Sequence, residues 1–350
     1  MKILVTGGGG FIGSHTCLAL LEKGYELVVA DSFISSSIKS LERVSEILKT
    51  NKKLNKENLQ IKNLDIRNKN DLNNLFLEYQ KLGDPIIAVF HFAGLKSVKE
   101  SMQKPLLYWD VNVNGTINLL DVMDKYNCRT IVFSSSATIY GKSNDLPFKE
   151  TSEIKPVTTY GQTKAAIERL LNDIYSSNPD KWRIVNLRYF NPIGAHDSGL
   201  IGESPAGLPN NIFPYITQVA IGTLEKLTIF GNDWSTKDGT GVRDYIHIMD
   251  LAEGHIASFR YLLDNSPQLI NFNLGTGCGT SVLELINTFE LVNKVRIPYE
   301  ISSRRNGDVS TILSDNSLAL SCLDWVPKRS LEIMCSDGWK WQLLNPKGYF

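Results

Sequence analysis

Six strand-length apolar runs, Lys2–Thr6, Glu26–Ala30, Leu59–Asn63, Ile86–Phe90, Thr130–Ser134 and Arg183–Tyr189, alternate with stretches such as Leu18–Lys23, Leu72–Tyr79 and Ile117–Tyr126, whose apolar residues recur at helical spacing. Strands separated by helices form parallel sheets, because parallel neighbours need a crossover and not a tight turn. Right-handed crossovers bring every strand's carboxyl end to one edge, where ligands collect. The rhythm predicts an α/β fold with a Rossmann-type doubly wound parallel sheet over residues 1–189. After Tyr189, Pro- and Gly-rich stretches (Asn191–Asn211, Asn232–Gly241) break the rhythm and predict a smaller mixed α/β C-terminal substrate domain over residues 190–350.

Charge and cysteine content narrow the function. With 37 basic against 37 acidic residues, nothing marks a nucleic-acid footprint or a polybasic membrane patch. Five cysteines without C-x-x-C spacing point to reduced thiols. The four-residue apolar stretch after Lys2 is short for a signal peptide, and no apolar run has membrane-span length, so a soluble cytoplasmic protein is expected. The histidines include no H-E-x-x-H, so no metal site is expected. Lys49–Asn58, rich in Lys and Asn, reads as a solvated loop or frayed helix end.

The first run breaks into Gly7-Gly8-Gly9-Gly10 before Phe11-Ile12-Gly13-Ser14 opens a helix. Glycines let such a turn approach a dinucleotide pyrophosphate, while the helix N-terminus offers N–H donors and a favourable dipole. Two registers fit, Gly7/Gly10/Gly13 and Gly8/Gly10/Gly13. Asp31 ends the second run 18 residues past Gly13, near the spacing at which an acid receives the adenosine ribose hydroxyls. A carboxylate there disfavours a 2′-phosphate, hence NAD over NADP. Asp65-Ile66 is placed to meet the adenine edge, or Asp65 caps a helix.

Tyr160 and Lys164 in Thr-Tyr-Gly-Gln-Thr-Lys lie four residues apart, on one face of a predicted helix. A tyrosine acting as a base near neutrality needs its phenolate favoured by about 4 kcal/mol, the order that one ammonium at about 4 Å supplies. Ser134-Ser135-Ser136-Ala137-Thr138 puts hydroxyls at the same sheet edge, able to complete a Ser/Tyr/Lys proton relay or simply to form a polar turn.

These segments, with His91-Phe92-Ala93-Gly94-Leu95-Lys96, Leu187-Arg188-Tyr189-Phe190-Asn191-Pro192, Pro209-Asn210-Asn211, Ile229-Phe230-Gly231-Asn232-Asp233, Asp238–His247 and Arg304-Arg305-Asn306-Gly307-Asp308, resemble the extended short-chain dehydrogenase/reductase family, and within it the UDP-sugar 4-epimerases. The resemblance covers essentially the whole chain. It implies a retained NAD, UDP-glucose and UDP-galactose as substrates interconverted through a 4-keto sugar, a place in galactose metabolism, and a homodimer. Carried over residue by residue, Tyr160, Lys164 and Ser136 are catalytic. Gly7, Gly10, Phe11, Ile12, Gly13, Asp31, Ser36, Asp65, Ile66, Phe92, Ala93, Gly94, Lys96, Tyr160, Lys164 and Phe190 meet the cofactor. Lys96, Ser136, Tyr160, Tyr189, Asn191, Asn211, Ile229, Phe230, Arg243, Arg305 and Asp308 meet the substrate.

Departures from the family pattern fall at Ser32–Ser36, at Val111, in the longer stretch between Asp31 and Asp65, and at Ile312, where a residue sets pocket size. They leave N-acetylhexose or pentose UDP-sugars as alternative substrates. A sugar-nucleotide 4,6-dehydratase is disfavoured because Ala137 and Thr138 replace the acid pair it needs. A non-enzymatic NAD-sensing protein would have no use for Ser136, Tyr160 and Lys164 together.

Overall fold

The computed structural model describes residues 2–50, 58–142, 145–205, 207, 209, 211–305 and 308–349. The strands are β1 (Lys2–Thr6), β2 (Glu26–Asp31), β3 (Leu59–Asn63), β4 (Ile86–His91), β5 (Thr130–Ser136), β6 (Arg183–Tyr189), β7 (Asn191–Ile193), β8 (Leu227–Phe230), β9 (Val242–His247), β10 (Gln268–Leu274), β11 (Gly279–Ser281), β12 (Tyr299–Ser302) and β13 (Thr311–Ile312). The helices are α1 (Phe11–Glu22), α2 (Ile38–Thr50), α3 (Lys69–Lys81), α4 (Val98–Gln103), α5 (Pro105–Tyr108), α6 (Gly115–Lys125), α7 (Thr159–Ser177), α8 (Ile212–Ala220), α9 (Ile248–Asp264), α10 (Val282–Asn293), α11 (Ser317–Cys322) and α12 (Leu331–Leu344). A π-helical stretch, Trp109–Asn114, joins α5 to α6.

Seven strands form one parallel sheet in the order β10-β6-β5-β4-β1-β2-β3. The order reverses between β1 and β4, which opens a crevice at the carboxyl ends. Alternation of side chains sorts the sheet into two cores. Ile3, Val5, Val29 and Phe90 face α1, α2 and α9, while Leu4, Val28, Val89 and Phe133 face α3, α6 and α7. The chain passes between the two lobes more than once. After β7–β9 it returns through α9, which packs on the first face, and β10, which pairs with β6 at the sheet edge.

The second lobe carries small sheets (β11-β9-β13 with β7 on β9, and β12-β8) around a core that includes Phe213, Ile229, Tyr245, Phe289 and Met334. Its α10 begins with a capping box, Ser281 accepting from Glu284 N and Glu284 from Ser281 N. Of the expected solvated stretch Lys49–Asn58, α2 extends to Thr50 and residues 51–57 lie outside the described residues. Among the described residues no helix is long and apolar enough to cross a membrane, and no His/Cys/Asp/Glu group could hold a metal ion.

Candidate active site

The turn after β1 resolves the glycine register. Gly7 has φ +72°, and a Cβ there would lie 2.5 Å from the Ala93 backbone nitrogen. A Cβ on Gly13 would lie 2.4 Å from Gly7 O. Gly7 and Gly13 are thus locked against each other across Gly10, which caps α1, and the Gly7/Gly10/Gly13 spacing is the one the backbone uses. Gly8 has a different duty: it makes room for the Val29 side chain.

A cavity of about 400 Å³ starts at Gly7, Gly10, Phe11, Ile12 and Gly13 and runs along the strand ends to Tyr160 and Lys164. Asp31, at the end of β2, lines the cavity beside the glycine turn. The carboxylate accepts from Gly9 N (2.8 Å), Phe33 N (2.8 Å) and Ser36 Oγ (2.9 Å), so Ser36 orients Asp31 as well as lining the cavity. Asp65 and Ile66 also line it. Asp65 does not cap α3; Asn68 does, accepting from Asn70 N and Asp71 N. Asp65 instead is gripped by Arg67 through Nε and Nη2, which holds its carboxyl below the usual range.

Phe92, Ala93, Gly94 and Lys96, in the loop after β4, form the opposite wall. Asn112, absent from the sequence reading, pins that loop: its Oδ1 accepts from Leu95 N (2.8 Å) and its Nδ2 donates to Leu95 O (3.1 Å) and Thr163 Oγ1 (3.1 Å) on α7. A lone asparagine carries no pattern that would single it out, whereas its neighbour Val111 lines the cavity. Lys96 reaches across to Glu203 (3.0 Å), which also accepts from Asn211 Nδ2 (3.1 Å). Glu203 and Tyr349, from the second lobe, therefore wall the cavity too, and neither belongs to a recognisable motif.

Tyr160 and Lys164 project from the first turns of α7. Thr158 caps that helix through Gly161 N (3.1 Å), and Tyr160 N donates to Ser101 Oγ (3.1 Å) on α4. Ser136, at the end of β5, lies beside the Tyr160 hydroxyl. Burial pushes the Tyr160 phenol up to about 12, opposed only by its neighbour Ser136. Lys164 Nζ donates to Ser134 O (2.6 Å) and lies 5.9 Å from the centre of the Tyr160 ring. Burial lowers the Lys164 ammonium to about 8, with Glu168 opposing. The expected lowering of Tyr160 by Lys164 is therefore not what these residues produce alone. The ammonium is directed at the Ser134 carbonyl, and desolvation dominates both groups.

Tyr189, at the end of β6, is buried, with Ser134 beside it. The Tyr189 hydroxyl donates to His255 Nε2, since His255 Nδ1 must carry the proton to bond Leu251 O (2.8 Å). Phe190 turns the other way, into a small cluster with Ala137, Tyr140, Phe148 and Ile312. Asn191 opens β7 and is half-buried.

In the second lobe, Arg243 on β9 is paired in register with Ile312 and lies within electrostatic reach of Arg305 and Asp308. Arg305 Nε donates to Asp308 (3.1 Å), and its guanidinium stacks 4.5 Å from the centre of the Phe230 ring. Ile229 departs from expectation. Strand β8 alternates, so Ile229 packs into the lobe's core while Phe230 faces outward toward Arg305.

A protein-family model described as GDP-mannose 4,6 dehydratase matches residues 4–338. UDP-glucose 4-epimerase 2 of Arabidopsis thaliana is 49% identical over 351 residues, covering 99% of this chain and 97% of the relative. UDP-glucose 4-epimerase of Bacillus subtilis is 48% identical over 349 residues, covering 100% and 99%. The crystal structure of a UDP-glucose 4-epimerase from Stenotrophomonas maltophila, with bound NAD and formylated UDP-arabinopyranose, superposes with a TM-score of 0.93 at 45% identity, covering 99% of both chains. The chain belongs to the family of that model, and within it to the UDP-glucose 4-epimerases of the extended short-chain dehydrogenase/reductases.

Proposed function

We propose that the protein interconverts UDP-glucose and UDP-galactose at C4 with NAD, Tyr160 moving the proton of the sugar 4-hydroxyl. The observation that carries this reading is the cavity that joins the glycine turn and Asp31 at one end to Tyr160 and Lys164 at the other. The residues fit a dinucleotide. Gly10, at the α1 N-terminus, opens onto the cavity where a pyrophosphate needs close approach, and Asp31 is held beside the turn by Gly9 N, where the ribose next to that pyrophosphate would lie. NAD bound along this cavity supplies the acceptor and donor of the C4 hydrogen, and its cationic nicotinamide favours the Tyr160 phenolate that burial opposes.

Tyr160 then takes the 4-hydroxyl proton and returns it after the 4-keto sugar has presented its other face. Ser136, beside Tyr160, orients the same hydroxyl. Lys164 stays fixed by Ser134 O beneath the tyrosine. Arg243 and Arg305 suit the diphosphate through charge-assisted bonds, with Asn191, Asn211, Phe230 and Asp308 around the rest of the nucleotide. Lys96, bound to Glu203 at the cavity wall, is available to both the cofactor and the sugar nucleotide.

Dehydration lacks its acid pair: Ala137 is buried and apolar, and the Thr138 hydroxyl donates to Ser136 Oγ (3.0 Å). A wider sugar range, including pentoses, is the second reading, because Ile312 packs beside Phe190 where pocket size is set. Exposed Met102, Leu106, Trp109 and Ile117 around α4–α6 form the surface for the expected homodimer, and a sedimentation coefficient of a monomer at micromolar concentration would contradict that part. The reaction would supply UDP-galactose and link it to galactose use. Purified protein given UDP-galactose without added cofactor should yield UDP-glucose. Folded, NAD-loaded protein that leaves UDP-galactose unchanged overturns the reading.

A further inference from the structure

Lys164 is followed one helical turn later by Glu168, so Tyr160, Lys164 and Glu168 share a face of α7. Glu168 is buried and both of its oxygens are engaged. Oε1 accepts from Ser135 Oγ (2.5 Å) and Arg188 Nε (3.1 Å), and Oε2 accepts from Arg188 Nη2 (2.7 Å). Ser135 and Arg188 are cross-strand partners on β5 and β6. Ser135 also lies between Ser134, whose carbonyl holds Lys164, and Ser136, which sits beside Tyr160. Arg188 continues the network to Tyr140 OH (3.0 Å) and Glu150 O (2.7 Å). A buried ion pair adds little stability over apolar packing, so one that ties the β5 end to α7 beside the reacting groups needs another reason to be there.

We propose that Glu168 is a positioning residue for the reaction: through Ser135 and Arg188 it fixes the β5 end against α7, and it places a buried carboxylate one helical turn from Lys164. This rests on the functional reading above. The groups facing Lys164 agree with the electrostatic part. Tyr160 and Glu168 come from α7, the Ser134 carbonyl and the Phe133 ring (4.9 Å) from β5, a neutral buried His91 from β4, and Arg188 reaches it only through Glu168. Glu168 is thus the one anion among these neighbours.

The test is the pH dependence of UDP-galactose conversion by the NAD-loaded protein, wild type against Glu168→Gln, which keeps the shape and an acceptor for Ser135. Where Glu168→Gln fails to fold, Glu168→Gln/Arg188→Met removes both buried charges together. The expected result is a folded variant with KM within about twofold of wild type and an alkaline limb of kcat moved to lower pH by about one unit. Above that limb kcat falls about tenfold relative to wild type, and below it changes less than about twofold. An unmoved limb in a folded variant, or failure of both variants to fold, overturns the proposal and leaves Glu168 a purely structural role. Wild-type protein that converts nothing would instead overturn the functional reading itself.

Discussion

Gly10 separates what the fold requires from what a ligand requires. Its φ and ψ of −73° and 175° suit any residue, and a Cβ there would meet only Gly7 O, at an ordinary 3.4 Å. Alanine at this helix-capping position costs the fold up to about 1 kcal/mol, because it caps less well than glycine. The same methyl would project into the cavity where the pyrophosphate is proposed to approach. Overpacking such a contact costs about 2 kcal/mol, or about 30-fold in cofactor affinity. Gly13→Ala is the opposite case. Its methyl would sit 2.4, 2.8 and 3.1 Å from backbone atoms of Gly7 and Gly8. Relieving that overlap costs the turn about 1–3 kcal/mol, against about 1 kcal/mol of helix preference gained. The assay is NAD released on denaturation per protein chain and its rate of dissociation, alongside urea unfolding of stripped protein. Gly10→Ala should unfold nearly as wild type yet lose NAD much faster. If Gly10→Ala keeps full NAD with an unchanged dissociation rate, the glycine turn does not hold the pyrophosphate.

Tyr160→Phe should lower kcat by at least about 100-fold while leaving bound NAD unchanged, because it removes the proton carrier and retains the ring; turnover within tenfold of wild type would exclude Tyr160 as the acid/base. Stability should fall in mild acid. His15 and His91 are held at about 3 and His255 at about 4 by burial, below an unfolded value near 6.5, so their stabilisation is complete above that value and declines as pH falls from about 6.5 toward 4. Each contributes a slope of about 1.4 kcal/mol per pH unit in that window, and urea midpoints that stay level from pH 7 to 4.5 would refute the assignment.

The parallel sheet was legible because buried parallel strands read as continuous apolar runs, and all six predicted runs are strands of the large sheet. The return of α9 and β10 to that sheet was not, since an apolar run such as Gln268–Leu274 does not state which sheet it joins. Spacing placed Tyr160 and Lys164 on one helix face, and the structure has them there beside Ser134 and Ser136. Spacing says nothing about desolvation, which among the protein's own residues raises the Tyr160 phenol. The glycine register needed the backbone angle at Gly7, the role of Asp65 needed the position of Arg67, and Ile229 needed the phase of its strand. Asn112, Glu168, Glu203 and Tyr349 act through partners far away in sequence, and no local pattern announces such contacts.

The fate of the hydrogen at C4 tests the central claim most directly. UDP-galactose carrying deuterium at C4 is incubated with purified protein, without added nicotinamide cofactor, and the product is read by mass spectrometry and NMR. The account predicts UDP-glucose with the deuterium retained at C4, because the atom removed at the Tyr160 end of the cavity returns to the same carbon. Loss of the label to solvent, or conversion only when free NAD is supplied, would contradict it.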